Sequence, residues 1–305
     1  MNDTVPTSAQ SRPAPVSLTW PRVSGKAADF LALTKPRLNL LVVATTMAGY
    51  YLGADHFNLV LLLNTIVGTG LVAGGAAAFN EILERETDGL MRRTRTRPLP
   101  GGRMSVSTAT WFAIALSAAG LAELALAANL LTAAVAAATL VSYALVYTPL
   151  KSRTSLSTLI GGIPGGLPPM IGWAAARGAL TLEAWVLFAI VFLWQMPHFL
   201  AIAWLCREDY ARAGLPMLPV VEPDGRSTGL QALLYASVLL PVSLAPTLIG
   251  LAGRVYFVGA AGLGVLFLAL AIQFARQKTN QAARRLFFGS ITYLPLLWAL
   301  MLGNH

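Results

Sequence analysis

Nine stretches of this chain, 31–52, 57–79, 106–124, 128–148, 156–175, 183–206, 229–250, 255–274 and 287–303, are apolar over a length that crosses a bilayer. A helix needs about 20 such residues to span roughly 30 Å of hydrocarbon. Only 11% of the residues are charged, against an ordinary share of roughly 25%, so a water-soluble surface cannot be built from them. The chain is expected to be a polytopic membrane protein.

The basic residues set an expected orientation, because Lys and Arg gather in short cytoplasmic loops. Of 22 Lys and Arg, 20 lie in the amino-terminal segment or after spans two, four, six and eight, leaving only Arg177 and Arg254 on the other side. The amino terminus is placed in the cytoplasm and His305 outside. The net charge of +9 is spread as a topology signal rather than gathered on one soluble unit, so no nucleic-acid partner is expected. Residues 1–28 are polar and contain Pro and Ser without an apolar core. They are expected to be a flexible cytoplasmic arm with no cleavable signal, and 29–305 a single transmembrane domain. One cysteine, Cys206, excludes an intrachain disulfide and a cysteine metal cage.

The polar chemistry concentrates after the even-numbered spans. Asn80, Glu84 and Asp88 recur at i, i+4 and i+8, drifting only about 40° per step around a helix, so they share one face. Arg92, Arg93, Arg95 and Arg97 follow at once. Carboxylates of this kind suit Mg²⁺, which prefers oxygen ligands and bridges to substrate phosphates. Arg93, Arg95 and Arg97 supply charge-assisted phosphate contacts. The competing reading is a solvated helix end followed by topology-setting arginines.

Span six ends in a second cluster, Trp194-Gln-Met-Pro197-His198-Phe199, followed by Arg207-Glu208-Asp209-Tyr210. On a continuous helix His198 and Asp209 return to nearly one face about 16 Å apart, which puts an imidazole inside and a carboxylate at the mouth. His198 is either a hydrogen-bonded structural histidine or a group that positions an acceptor, contacts a porphyrin or moves a proton. Lys151 and Arg153 after span four, and Lys35 and Arg37 at the opening of span one, either bind a diphosphate or anchor topology. The run Gly161-Gly-Ile-Pro-Gly-Gly-Leu-Pro-Pro169 lacks a P-loop lysine and strand, and is expected to bend span five and allow close packing.

The pattern Asn80-xxx-Glu84-xxx-Asp88, with Met91-Arg-Arg93-Thr94-xx-Arg97-Pro98-Leu99, resembles the first signature of the intramembrane UbiA-type prenyltransferases. Further segments, Tyr147-Thr-Pro-Leu-Lys151, Pro168-Pro169-xx-Gly172-Trp173, Trp194-Gln-x-Pro197-His198-Phe199 and Asp209-Tyr210-xx-Ala213-Gly214-x-Pro216-Met217-Leu218-Pro219, are similar to the branch of that family that farnesylates protohaem IX. The resemblance covers residues 30–303. Glu84 stands where many relatives carry Asp, and Glu208-Asp209-Tyr210 replaces a spaced aspartate array.

The resemblance implies an all-α bundle of nine transmembrane helices around a central cavity, capped by the loops after spans two and six, in a bacterial inner membrane. It implies farnesyl diphosphate and haem b as substrates, haem O as product, and Mg²⁺ held by Glu84, Asp88 and Asp209. Asn80, Glu84, Asp88 and His198 are then the catalytic candidates. Arg93, Arg97, Lys151, Arg153, Lys35, Arg37, Asp209 and Tyr210 are the substrate-binding ones. Haem A synthase or another oxidase-assembly protein is the expected partner besides the lipid bilayer. Two alternatives are a related enzyme acting on a quinone precursor or another aromatic or tetrapyrrole acceptor, and a transporter of an anionic metabolite.

Overall fold

The computed structural model describes residues 25–305, so most of the expected arm at 1–28 lies outside the described residues. Its last three positions, Lys26 to Ala28, open α1 (Lys26–Leu33). All regular structure among the described residues is helical. After α1 come α2 (Pro36–Gly53), α3 (Leu59–Leu90), α4 (Val106–Glu123), α5 (Leu130–Val141), α6 (Thr148–Leu150), α7 (Ser157–Gly166) and α8 (Pro168–Arg177). The second half contains α9 (Leu182–Leu205), α10 (Arg207–Arg212), α11 (Leu218–Val221), α12 (Arg226–Leu248), α13 (Arg254–Gln277) and α14 (Asn280–Gly303).

Seven of the nine expected spans are helical segments long and apolar enough to cross a membrane. The first expected span is instead α2, an 18-residue helix whose first turn carries Arg37. The fifth is divided between α7 and α8, ten residues each, meeting at Leu167. Pro164, Pro168 and Pro169 remove backbone donors there, and two carbonyls beside the break accept from side chains of other helices. Gln195 Nε2 donates to the Gly162 carbonyl at 2.7 Å, and Thr46 Oγ1 donates to that of Pro168 at 3.0 Å. Irregular backbone is tolerated at such depth only when protein satisfies it. As expected of the glycine-proline run, this break goes with close packing: a Cβ on Gly172 would overlap the Thr46 carbonyl oxygen, and one on Gly49 that of Pro169.

Several helices begin where a polar side chain caps them. Asn58 accepts from Leu61 N at 3.1 Å, Asn129 from Thr132 N at 2.9 Å, and Thr279 from Ala282 N at 3.2 Å. These caps satisfy amides that the first helical turn leaves orphaned. At 32 residues, α3 is about 48 Å long, well beyond the hydrocarbon thickness, and its last turns carry the polar face. Those turns lie at the end of the bundle where the loops after α3 and α9 meet. Met91 is fully buried there in one cluster with Ala203, Tyr210, Ala213, Leu215 and Met217. The two expected capping loops therefore pack on one another.

Candidate active site

The last turns of α3 bury four polar side chains together, Asn80, Glu81, Glu84 and Asp88, each less than a tenth exposed. The helix stops because Met91 turns to an extended conformation, and Thr94 Oγ1 donates to the Asp88 carbonyl at 2.9 Å. A further turn, with Arg97 N on the Thr94 carbonyl at 2.9 Å, folds Arg97 back over the helix. Its Nη1 reaches Asp88 Oδ2 at 2.6 Å and its Nε lies 3.6 Å from Glu81 Oε1. From the segment after α6, Lys151 Nζ donates to Glu84 Oε2 at 3.0 Å. From the α1–α2 junction, Lys35 Nζ donates to Asn80 Oδ1 at 2.6 Å, while Asn80 Nδ2 donates to Thr148 Oγ1 at 3.1 Å. Burial, reinforced by the neighbouring Arg97 charge, brings the pKa of the Lys35 ammonium down to about 8.

Three carboxylates thus face three cations drawn from three separate segments. Each acid uses one oxygen and keeps another in reserve: Glu81 Oε2, Glu84 Oε1 and Asp88 Oδ1 are buried without a hydrogen-bond partner. Buried acceptors are rarely left unpaired. The spare oxygens of Glu84 and Asp88, one turn apart on α3, offer the one or two carboxylates through which magnesium is commonly held together with substrate phosphates, and three long cations fit the oxygens of a diphosphate. The residues present fit a divalent cation.

The structure assembles Asn80, Glu84, Asp88, Lys35, Arg97 and Lys151 as one site. It adds Glu81, which the i, i+4, i+8 reading passed over. Arg37, Arg93 and Arg153 are exposed and make no side-chain ion pair with an acid among the described residues. Tyr210 is buried and, with Tyr147, Lys151 and Phe199, lines a cavity of about 80 Å³ beside the Lys151–Glu84 pair. Asp209 completes no metal cage with Glu84 and Asp88, and the three acids of α3 make none by themselves: no group of three or more His, Cys, Asp or Glu able to hold a metal occurs among the described residues. Its carboxylate accepts from Arg212 Nη1 at 2.5 Å. Despite an opposing desolvation effect, that bond and the nearby backbone N–H groups of Arg92 and Arg93 hold it below the usual carboxylate range. Asp209 therefore ties the two capping loops together.

His198 lies in α9, stacked on Trp194 and Phe287 at centroid distances of 5.3 and 5.0 Å. The 16 Å offset to Asp209 assumed a continuous helix. The chain breaks at Cys206, with φ −104° and ψ 12°, before α10 begins, so that axial distance does not apply. At the opposite end of the bundle, the exposed Asp55 accepts from Arg177 Nη1 at 2.7 Å. Cys206 packs, partly buried, against the cluster around Tyr210.

The model of the UbiA prenyltransferase family matches residues 42–297. This chain belongs to that family. A protein named protoheme IX farnesyltransferase from Solibacter usitatus is 51% identical over 284 residues, covering 90% of this chain and 97% of the relative. One of the same name from Koribacter versatilis is 44% identical, covering 94% and 96%. Among solved structures, a digeranylgeranylglyceryl phosphate synthase superposes with a TM-score of 0.78 at 17% identity, over 92% of this chain and 98% of that one. A UbiA homologue from Archaeoglobus fulgidus, bound to GPP and Mg²⁺, gives 0.64 at 17% identity, over 90% and 99%. The all-α membrane-bundle expectation is met in its fold, and the family is one of enzymes rather than transporters.

Proposed function

We propose that this UbiA-family member is a protohaem IX farnesyltransferase, moving the farnesyl group of farnesyl diphosphate onto a vinyl group of haem b to give haem O and diphosphate. The naming of relatives up to 51% identical along nearly their whole length supports the acceptor. The observation that carries the chemistry is the buried set of three carboxylates, each with a spare oxygen, interleaved with Lys35, Arg97 and Lys151.

Glu84 and Asp88, with Asn80 and Glu81 beside them, would hold Mg²⁺, which supplies Lewis-acid stabilisation of the leaving diphosphate. The fold neighbour that binds GPP and Mg²⁺ supports this assignment. The charge count explains why metal and diphosphate belong together. Three acids and three cations cancel; a divalent ion alone would leave an uncompensated buried excess, which the anionic substrate removes. Arg97, Lys151 and Lys35 meet the charge that accumulates on the departing diphosphate as the C1–O bond breaks with its electron pair. The haem vinyl terminus then forms the new bond to C1. The cation left next to the macrocycle takes the oxygen of a water molecule and releases a proton, completing the hydroxyethylfarnesyl group. Apolar walls exclude water from the earlier allylic cation.

In this proposal the amino-terminal end faces the cytoplasm, His305 lies outside a bacterial inner membrane, and the chain crosses nine times. Haem O then passes to haem A synthase or another oxidase-assembly protein. The test is pigment extraction from membranes with and without the protein, followed by separation of haem b from haem O. A protein-dependent haem O peak is expected. A prenylated quinone precursor in place of haem O would overturn the acceptor assignment.

A further inference from the structure

One residue of α14 receives two side chains of α9. Trp194 Nε1 donates to the Ser290 carbonyl at 2.8 Å, and one turn further along α9 His198 Nδ1 lies 2.7 Å from Ser290 Oγ. Ser290 is fully buried, and its hydroxyl is already committed, donating to the Phe287 carbonyl at 2.6 Å. A hydroxyl has one proton to give. With that proton on the Phe287 carbonyl, Ser290 Oγ accepts from His198 in the tautomer that carries its proton on Nδ1, which leaves Nε2 with its lone pair. Nε2 has no partner in the protein, yet it is not among the enclosed unpartnered atoms, and the residue is half-buried. The lone pair thus opens onto accessible space, between the stacked rings of Trp194 and Phe287 and beside the tilted ring of Phe199.

A neutral imidazole whose Nδ1–H is fixed by a second residue and whose Nε2 is free is the form in which histidine binds metals. The surrounding flat apolar rings suit a macrocycle. We propose that His198 Nε2 is an axial ligand to the iron of the haem substrate, held in the ligating tautomer by Ser290. The inference rests on haem b being the acceptor. In it, iron ligation positions the porphyrin, and Ser290 is a positioning residue that acts through His198.

The experiment titrates ferric haem b, and separately metal-free protoporphyrin IX, into the purified full chain in detergent, with absorption and resonance Raman spectra of each complex. The wild type is expected to show a histidine-ligated iron and to prefer haem over the metal-free ring. His198→Ala should lose the histidine signature and lower haem affinity by roughly tenfold or more, with protoporphyrin binding unchanged and free imidazole restoring the spectrum. Ser290→Ala should weaken haem binding in the same selective way. Haem bound by His198→Ala with an unchanged spectrum would overturn the ligation. Equal loss of both porphyrins would do the same, reducing His198 to a packing group. Failure of the wild type to bind either porphyrin, or to form haem O, would instead overturn the acceptor reading on which the inference rests.

Discussion

Glu81 shows what a residue-level reading can miss. Asn80, Glu84 and Asp88 span about 80° of a helix face, whereas Glu81, Glu84 and Asp88 span only about 60°, because a separation of seven residues nearly closes two turns. The signal was present in the sequence, hidden behind the more regular four-residue spacing. Its partner Arg97 is shared with Asp88, so these two acids act as a unit. Asp88→Asn should lower farnesyl transfer by roughly 100-fold, with the protein still inserted, and a chelator in excess should do the same to the wild type; unimpaired turnover in either case would sink the metal assignment. Glu81→Gln keeps the shape but removes the charge, and a loss of roughly tenfold or more is expected in metal-dependent rate. Arg97→Lys retains a cation but cannot span both Asp88 and Glu81 with one planar fork. Its expected signature is weaker use of farnesyl diphosphate at unchanged membrane orientation, read from initial rates against diphosphate concentration.

The break at Leu167 is the instructive case among the elements. Glycines and prolines between 161 and 169 marked a bend, and α7 and α8 are the two halves of it. Which neighbour fills the notch was not legible, since it depends on Thr46 and Gln195, over a hundred and about thirty residues away from the carbonyls they bond. Gly172→Ala should destabilise the protein by roughly 1–3 kcal/mol, because the added carbon meets the fixed Thr46 carbonyl rather than a movable side chain. Thermal unfolding in detergent measures it. Gly178, with φ +66° but open space around its Cβ position, is the comparison. Gly178→Ala carries only the backbone cost of about 1 kcal/mol, and a Gly172→Ala protein as stable as wild type would remove the close approach. The α9–α10 junction teaches the opposite lesson. Nothing in Leu205-Cys206-Arg207 announces a break, so the axial separation drawn from a continuous helix failed.

Over the whole molecule, the proposed topology has the α3 end and the loop at Ser152 on one side of the membrane, and Arg177 on the other. The lone cysteine makes this testable. In a Cys206→Ala background, Ser152→Cys should react with a membrane-impermeant thiol reagent only from the cytoplasmic face, and Ala179→Cys only from the outer face. Labelling of both from one side would reverse or abolish the proposed orientation.

Membrane class, most of the helical spans and the family signature were set by local composition and spacing, because hydrocarbon thickness and helical periodicity act on contiguous residues. Tertiary structure decided which distant cations meet which acids. Lys35, Arg97 and Lys151 read equally well as topology anchors or as ligands until folding buried them against Asn80, Asp88 and Glu84, whereas Arg37, Arg93 and Arg153 stayed exposed. Folding also paired Asp209 with Arg212 and gave His198 a serine from the last helix. A charge shows the same letter in the sequence whether it is solvated or buried, and only the packed helices determine what faces it.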